Sequence, residues 1–266
     1  MKGDESPSVD FGALIDDLKA AIVFLTRLSP RLIGFDAQTC PDFRRGARAF
    51  PLAGALIGAA GGIVLMAAAF LGMPPLVSAA LAVAATMVLT GGLHEDGLAD
   101  TADSFGGATT ERKLEIMDDS RVGTYGAAAL VFSVVLRVGA LAAIAGGGTL
   151  AAALSLVAAE AVSRAALVRL WHDLPAARMS GLAHDTGPPD QNAMLTAMAA
   201  AVVIAAIAAV PVIGLRPTIL GGVLAAVATY LFTRLTAQAI GGRTGDSLGA
   251  CQQIALIAFM IGASAG

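Results

Sequence analysis

Residues 74–93 read PPLVSAALAVAATMVLTGGL, twenty positions without a charge. About 20 apolar residues suffice to cross a ~30 Å hydrocarbon core. The run is not alone. Stretches 50–71, 193–215 and 217–233 are equally charge-free, 124–146 and 149–170 carry only internal charges, and 249–266 is short but apolar. The whole chain of 266 residues is 56% hydrophobic and 14% charged, with a mean hydropathy of +0.76. Soluble domains carry about a quarter charged residues. The fold class that follows is all-α, a polytopic membrane helical bundle forming a single domain over 1–266. Its six to seven transmembrane helices are expected near 50–71, 74–93, 124–146, 149–170, 193–214, 217–240 and 250–265.

Upstream, Phe11, Leu14, Ile15, Leu18, Ile22 and Leu25 recur at helical spacing, while Asp10, Asp17 and Lys19 fall elsewhere. This predicts an amphipathic helix over about 9–28, lying in the interface or on the bundle edge. Early acids (Asp4, Glu5, Asp10, Asp16, Asp17) exclude a cleavable signal peptide. The connections alternate in character. Those at 72–73, 146–148 and 214–216 are tight, whereas 27–48, 94–123, 171–192 and 241–248 are long and polar and hold most of the Arg and Lys. The positive-inside rule puts this second set in the cytoplasm and the C-terminus outside. The expected location is the bacterial cytoplasmic (inner) membrane.

Just past the opening run comes HEDGLADTADSFGG, 94–107, with Glu95, Asp96, Asp100 and Asp103 and no Lys or Arg until Arg112. If the helix of 74–93 continues past the membrane edge, Asp96, Asp100 and Asp103 occupy i, i+4 and i+7 and share one narrow arc. Carboxylates gathered in this way repel unless a hard cation neutralises them, and an all-oxygen set selects Mg²⁺, Mn²⁺ or Ca²⁺ over zinc. His94 falls on the opposite face, where it would contact a phosphate or cap the turn.

Two further clusters share that side. In ERKLEIMDDSRVGTYG, 111–126, Asp118 and Asp119 add acids for a second metal, and Arg112, Lys113 and Arg121 suit phosphate oxygens. Ser120 reads as a cap. Gly123 and Gly126 permit close backbone approach at a helix N-terminus, whose dipole favours an anion. In GGRTGDSLGA, 241–250, Asp246 sits between glycines, with Arg243, Thr244 and Gly245 as phosphate-binding candidates. Acids, a divalent metal and arginines at a membrane surface point to phosphoryl or nucleotidyl transfer.

HEDGLADTADSFGG, EIMDDSRVGTYG and GGRTGDSLGA together resemble the three signature blocks of the adenosylcobinamide-GDP ribazoletransferase (cobalamin synthase) family. FLTRLSP (24–30) and AFPLAGALIG (49–58) resemble its N-terminal region, and AARMSGLA (176–183) matches more loosely, bringing in Arg178. The resemblance implies a magnesium-dependent inner-membrane enzyme, with manganese as a substitute. Its substrates would be adenosylcobinamide-GDP and α-ribazole or α-ribazole 5′-phosphate, its products adenosylcobalamin or its 5′-phosphate and GMP. Carried onto this chain, Asp96, Asp100 and Asp246 bind the metal at the pyrophosphate. Asp103 is a further ligand or the base, and Arg121 holds a phosphate. The nearest alternative is a CDP-alcohol phosphotransferase, whose motif has an arginine after DG-x-x-A where this chain has Asp100. A secondary transporter built on Glu160 and Arg164 is the other, although no internal repeat supports it.

Inside the spans, Arg137 and Glu160 lie at similar depth from the 146–148 turn and are expected either to pair or to line a cavity; Glu160 has Arg164 as a second partner, one turn along. Cys40 and Cys251 match no metal or redox spacing and read as small apolar residues. A net charge of −3 with no basic cluster gives no support for a nucleic-acid partner. The bilayer is the expected environment, and oligomerisation is left open.

Overall fold

A computed structural model describes residues 11–36, 42–178 and 187–265. Cys40 and much of the 171–192 loop therefore lie outside the described residues. The helices are α1 (Phe11–Leu25), α2 (Phe43–Gly46), α3 (Phe50–Phe70), α4 (Pro75–Thr90), α5 (Leu93–Ser104), α6 (Thr110–Met117), α7 (Thr124–Gly147), α8 (Thr149–Asp173), α9 (Gln191–Ile213), α10 (Leu215–Ile240) and α11 (Gly245–Ala263). Among the described residues six helices are long and apolar enough to span a bilayer, α3 with the turns before it, α7, α8, α9, α10 and α11, and the bent pair α4–α5 makes a seventh if it counts as one span. The protein is a multi-pass membrane protein.

α8 is the central post, with α3, α9 and α11 packed around it. Small residues make this possible. Gly54, Gly58 and Gly62 form a stripe on α3, and a Cβ on Gly58 would stand 2.7 Å from the Cα of Val157 on α8. Lipid gives apolar helices little reason to associate, so this close backbone approach carries the packing. At one end, Phe24, Phe43, Phe50 and Trp171 cluster with ring centroids 4.8–6.0 Å apart, joining α1, α2, α3 and α8. An Asp17–Arg48 ion pair of 2.7 Å fixes the polar side of α1 to the same end, leaving Phe11 and Ile15 exposed.

The polar connections meet at this end. Arg27 donates its N–H to Leu89 O (2.8 Å), Asp190 to Arg44 O (2.8 Å) and Arg243 to Pro175 O (2.8 Å). Lys113 Nζ reaches Ala239 O at 3.4 Å.

The structure corrects the sequence reading at residue 91. The expected helix over 74–93 does not run on into the acids. Gly91 and Gly92 both take left-handed backbone (φ 66° and 71°), and α5 leaves α4 at 90°. Side-chain-bearing residues resist that conformation, so two consecutive glycines stop the helix despite its apolar flank. α5 thus lies across the polar end of the bundle, outside the six spanning helices.

Arg137 is the second correction. It pairs with Glu95 of α5 (2.9 Å), both side chains being at most 6% exposed, and Glu160 pairs with Arg164 instead. Gln253 donates to the same Glu95 oxygen (3.1 Å), and Gln252 donates to Ser163 (2.9 Å). Four charges and two amides therefore form one buried polar layer beneath α5.

Candidate active site

On α5, Asp96, Asp100 and Asp103 keep the i, i+4, i+7 spacing, and Asp96 is exposed while Asp100 and Asp103 are half-buried. The fourth acid comes from the first turn of α11. There Thr244 caps the helix in a reciprocal box with Ser247: Ser247 N donates to Thr244 Oγ1 (3.1 Å) and Thr244 N to Ser247 Oγ (2.9 Å). The cap fixes where α11 starts and so where Asp246 stands. The two helices touch through Gly97, since a Cβ there would lie 2.7 Å from Asp246 O and 3.0 Å from its Cα.

Asp100 is where the negative fields meet. Burial, then the charges of Asp96, Asp246 and Asp103, push its pKa up to about 6. Its carboxyl resists ionisation here, and a nearby cation would favour the charged form. Among the described residues no three His, Cys, Asp or Glu groups converge tightly enough to hold a metal by themselves. Mg²⁺ characteristically takes one or two carboxylates and completes its shell with phosphate oxygens and water. An all-carboxylate donor set is of the kind such an ion takes, with coordination positions left over for a substrate.

Asp103 is committed to the backbone. Its carboxylate accepts Gly123 N–H (2.7 Å) and Gly126 N–H (2.9 Å) at the start of α7. The anion that the α7 N-terminus was expected to take is thus the protein's own. Gly123 and Gly126 are small because a Cβ at either would run into that carboxylate.

Several other candidates are used structurally. His94 is buried on the inner face of α5; burial first, then Arg164 and Arg137, hold its pKa well below the ordinary imidazole value. A phosphate contact does not suit that place. Arg121 chelates Asp119 (2.6 Å) with its side chain 86% exposed. Ser120 is exposed, and the cap position of α7 belongs to Gly123. Arg112 pairs with Glu115 on the surface (2.9 Å), Lys113 is turned to the Ala239 carbonyl, and Gly245 is exposed at the first position of α11. Arg243 is buried and donates to Leu174 O (2.6 Å), while its backbone forms a bridge with Ala176.

That bridge brings in Arg178. It ties the loop after α8 to the first turn of α11, and Arg178 reaches Asp118 and Leu114 O (2.9 Å) within electrostatic range of Asp246. Asp118 therefore faces an arginine. Of the polar layer under the site, Arg137, Glu160 and Arg164 stood out in the sequence as interior charges, whereas Glu95 and the two glutamines did not. Gln252-Gln253 inside an apolar span was the missed signal.

Gly97→Ala tests the helix contact. The added methyl meets backbone, which yields only if α5 and α11 part. Because misplacement by about 1 Å can cost ~10²-fold, turnover should fall about tenfold to a hundredfold in protein that still purifies as a folded bundle. Unchanged turnover would mean that Asp246 need not sit against α5.

The family model described as cobalamin-5-phosphate synthase matches residues 17–264. The chain belongs to the cobalamin-5-phosphate synthase family. Among its relatives, an adenosylcobinamide-GDP ribazoletransferase of Azorhizobium caulinodans is 45% identical over 94% of this chain and 95% of its own. Proteins of the same name from Allorhizobium ampelinum and Brucella melitensis are each 43% identical, over 91% and 94% of this chain and 93% and 96% of their own. No solved structure matches. The match covers every acid of the site, and it makes the chain a transferase of cobalamin synthesis, as the resemblance of its sequence blocks implied.

Proposed function

We propose that this cobalamin-5-phosphate synthase family member joins adenosylcobinamide-GDP to α-ribazole or α-ribazole 5′-phosphate, with Mg²⁺ as its ion and Mn²⁺ as a substitute. The products are GMP and adenosylcobalamin or its 5′-phosphate. The ribose 3′-hydroxyl oxygen bonds to the phosphorus esterified to the corrinoid's aminopropanol arm. The bond from that phosphorus to the diphosphate bridging oxygen breaks, and GMP leaves with the oxygen. The hydroxyl proton goes to a carboxylate of the cluster. Asp103 suits this, as each of its oxygens spends one lone pair on a backbone N–H and keeps another.

Asp96, Asp100 and Asp246 would hold the ion, which when bound neutralises diphosphate charge. Arg178, rather than the outward-facing Arg121, would bind a phosphate oxygen, trading its contact with exposed Asp118. We further read the polar end as the cytoplasmic face of a bacterial inner membrane, since its loops are rich in Arg and Lys.

The observation that supports this reading is the close contact at Gly97, which sets the first turn of α11, with Asp246, directly against the helix that carries Asp96, Asp100 and Asp103. Detergent-solubilised protein given both substrates should release GMP with Mg²⁺ and stop on chelation. GMP release that is indifferent to chelation would overturn the metal, and absence of release with every divalent ion would overturn the reaction.

A further inference from the structure

α8 and α9 pack together, but α10 does not close against them. A cavity of about 670 Å³ runs between them, lined almost throughout by apolar side chains. On α10 its wall is the stripe Ile219, Gly222, Ala226, Tyr230 and Arg234, spaced at three or four residues so that one face of the helix looks into it. Opposite stand small residues, among them Ala166 of α8 and Ala201 and Ala205 of α9. Ile219, Tyr230 and Val202 are more than half exposed, so the cavity is an open groove on the outside of the bundle.

Its charged end gives it chemistry. Arg169 and Asp173 close the groove on α8 and pair with each other (2.6 Å), whereas Arg234 is exposed and has no hydrogen-bond or ion-pair partner among the described residues. The mouth thus carries one unanswered positive charge. Arg234 lies six residues from the end of α10 and Arg169 four from the end of α8. At ~1.5 Å per residue both stand about 6–9 Å inside the helix ends, at the depth from which arginines snorkel to headgroups. Ala226 is about 12 Å deeper than Arg234, within the ~15 Å half-thickness of the hydrocarbon. The groove offers a basic mouth at headgroup level and a small-walled apolar slot one leaflet deep.

We propose that this groove binds one anionic phospholipid, its phosphate on Arg234 beside Arg169 and one acyl chain lying along Ala226 between α9 and α10. An apolar slot alone would accept any lipid. The single unpaired guanidinium selects for negative charge, and the small side chains make room for the chain. None of the four acids Asp96, Asp100, Asp103 and Asp246 lines the groove, and the proposal does not depend on the reaction assigned to them.

The test uses full-length protein in vesicles of equal phosphatidylglycerol and phosphatidylcholine, extracted mildly and weighed by native mass spectrometry. One retained phosphatidylglycerol per chain is expected, in preference to phosphatidylcholine. Arg234→Gln should weaken that preference about fivefold. Ala226→Leu, which fills the slot from an exposed position, should expel the lipid while the bundle stays folded. Equal retention of both lipids, retention unaltered in both variants, or a second copy of the chain seated over the groove would each overturn the proposal.

Discussion

Asp100→Asn protein is expected to insert, fold and purify like its parent and to lose turnover by about a thousandfold, the upper range for removing one preorganised electrostatic group. The substitution keeps the shape and removes only the charge. Asp100 is half-buried, and burial together with Asp96, Asp246 and Asp103 opposes its ionisation. A neutral amide relieves that opposition, so the metal-free fold has nothing to lose. GMP release at saturating substrates is the measurement, repeated with rising Mn²⁺, which should recover part of the loss if the carboxylate ligates directly. Full activity in this variant would remove Asp100 from the site.

The second large effect falls on stability. Arg137→Met should destabilise the bundle by about 3 kcal/mol or more, the usual result of leaving one member of a buried ion pair unanswered. Glu95 and Arg137 are almost wholly enclosed, and the remaining hydrogen-bond partner of Glu95 is Gln253, a neutral amide, with the Arg164 guanidinium acting only through its field. Without the guanidinium, a carboxylate stays in the polar layer under α5 with one hydrogen bond. The double variant Glu95→Gln, Arg137→Met should recover much of the loss, because a neutral amide needs no counter-charge. Thermal unfolding in one detergent compares the three proteins. A single variant as stable as the parent would show that the pair contributes nothing to the fold.

Much of the bundle was legible because apolar length is a direct consequence of bilayer thickness, and loops of matching polarity must share a side. The acid spacing was legible because i, i+4 and i+7 describe one face of any helix. The turn at Gly91–Gly92 was not, since hydropathy does not register backbone angle. Counting depth matched Arg137 with Glu160 but ignored rotation about the axis. Glu95, one residue before Asp96, is turned about 100° from it and so enters the interior as the true partner. Arg121 read as a phosphate ligand from its guanidinium and the family blocks; in the fold it turns back on Asp119 two residues away. Arg178 came from a loop whose place depends on the backbone bridge to Arg243, a contact that no local pattern announces.

The early end of α4 has a mechanical consequence. Its 16 residues measure about 24 Å, roughly 6 Å less than the hydrocarbon they face. A leaflet around α4 is expected to thin at this corner, which would set the carboxylates toward the floor of a shallow basin. A nucleotide-bearing reactant too bulky to enter lipid still has to lower its tail below the rim, which makes local membrane thickness a variable of the chemistry.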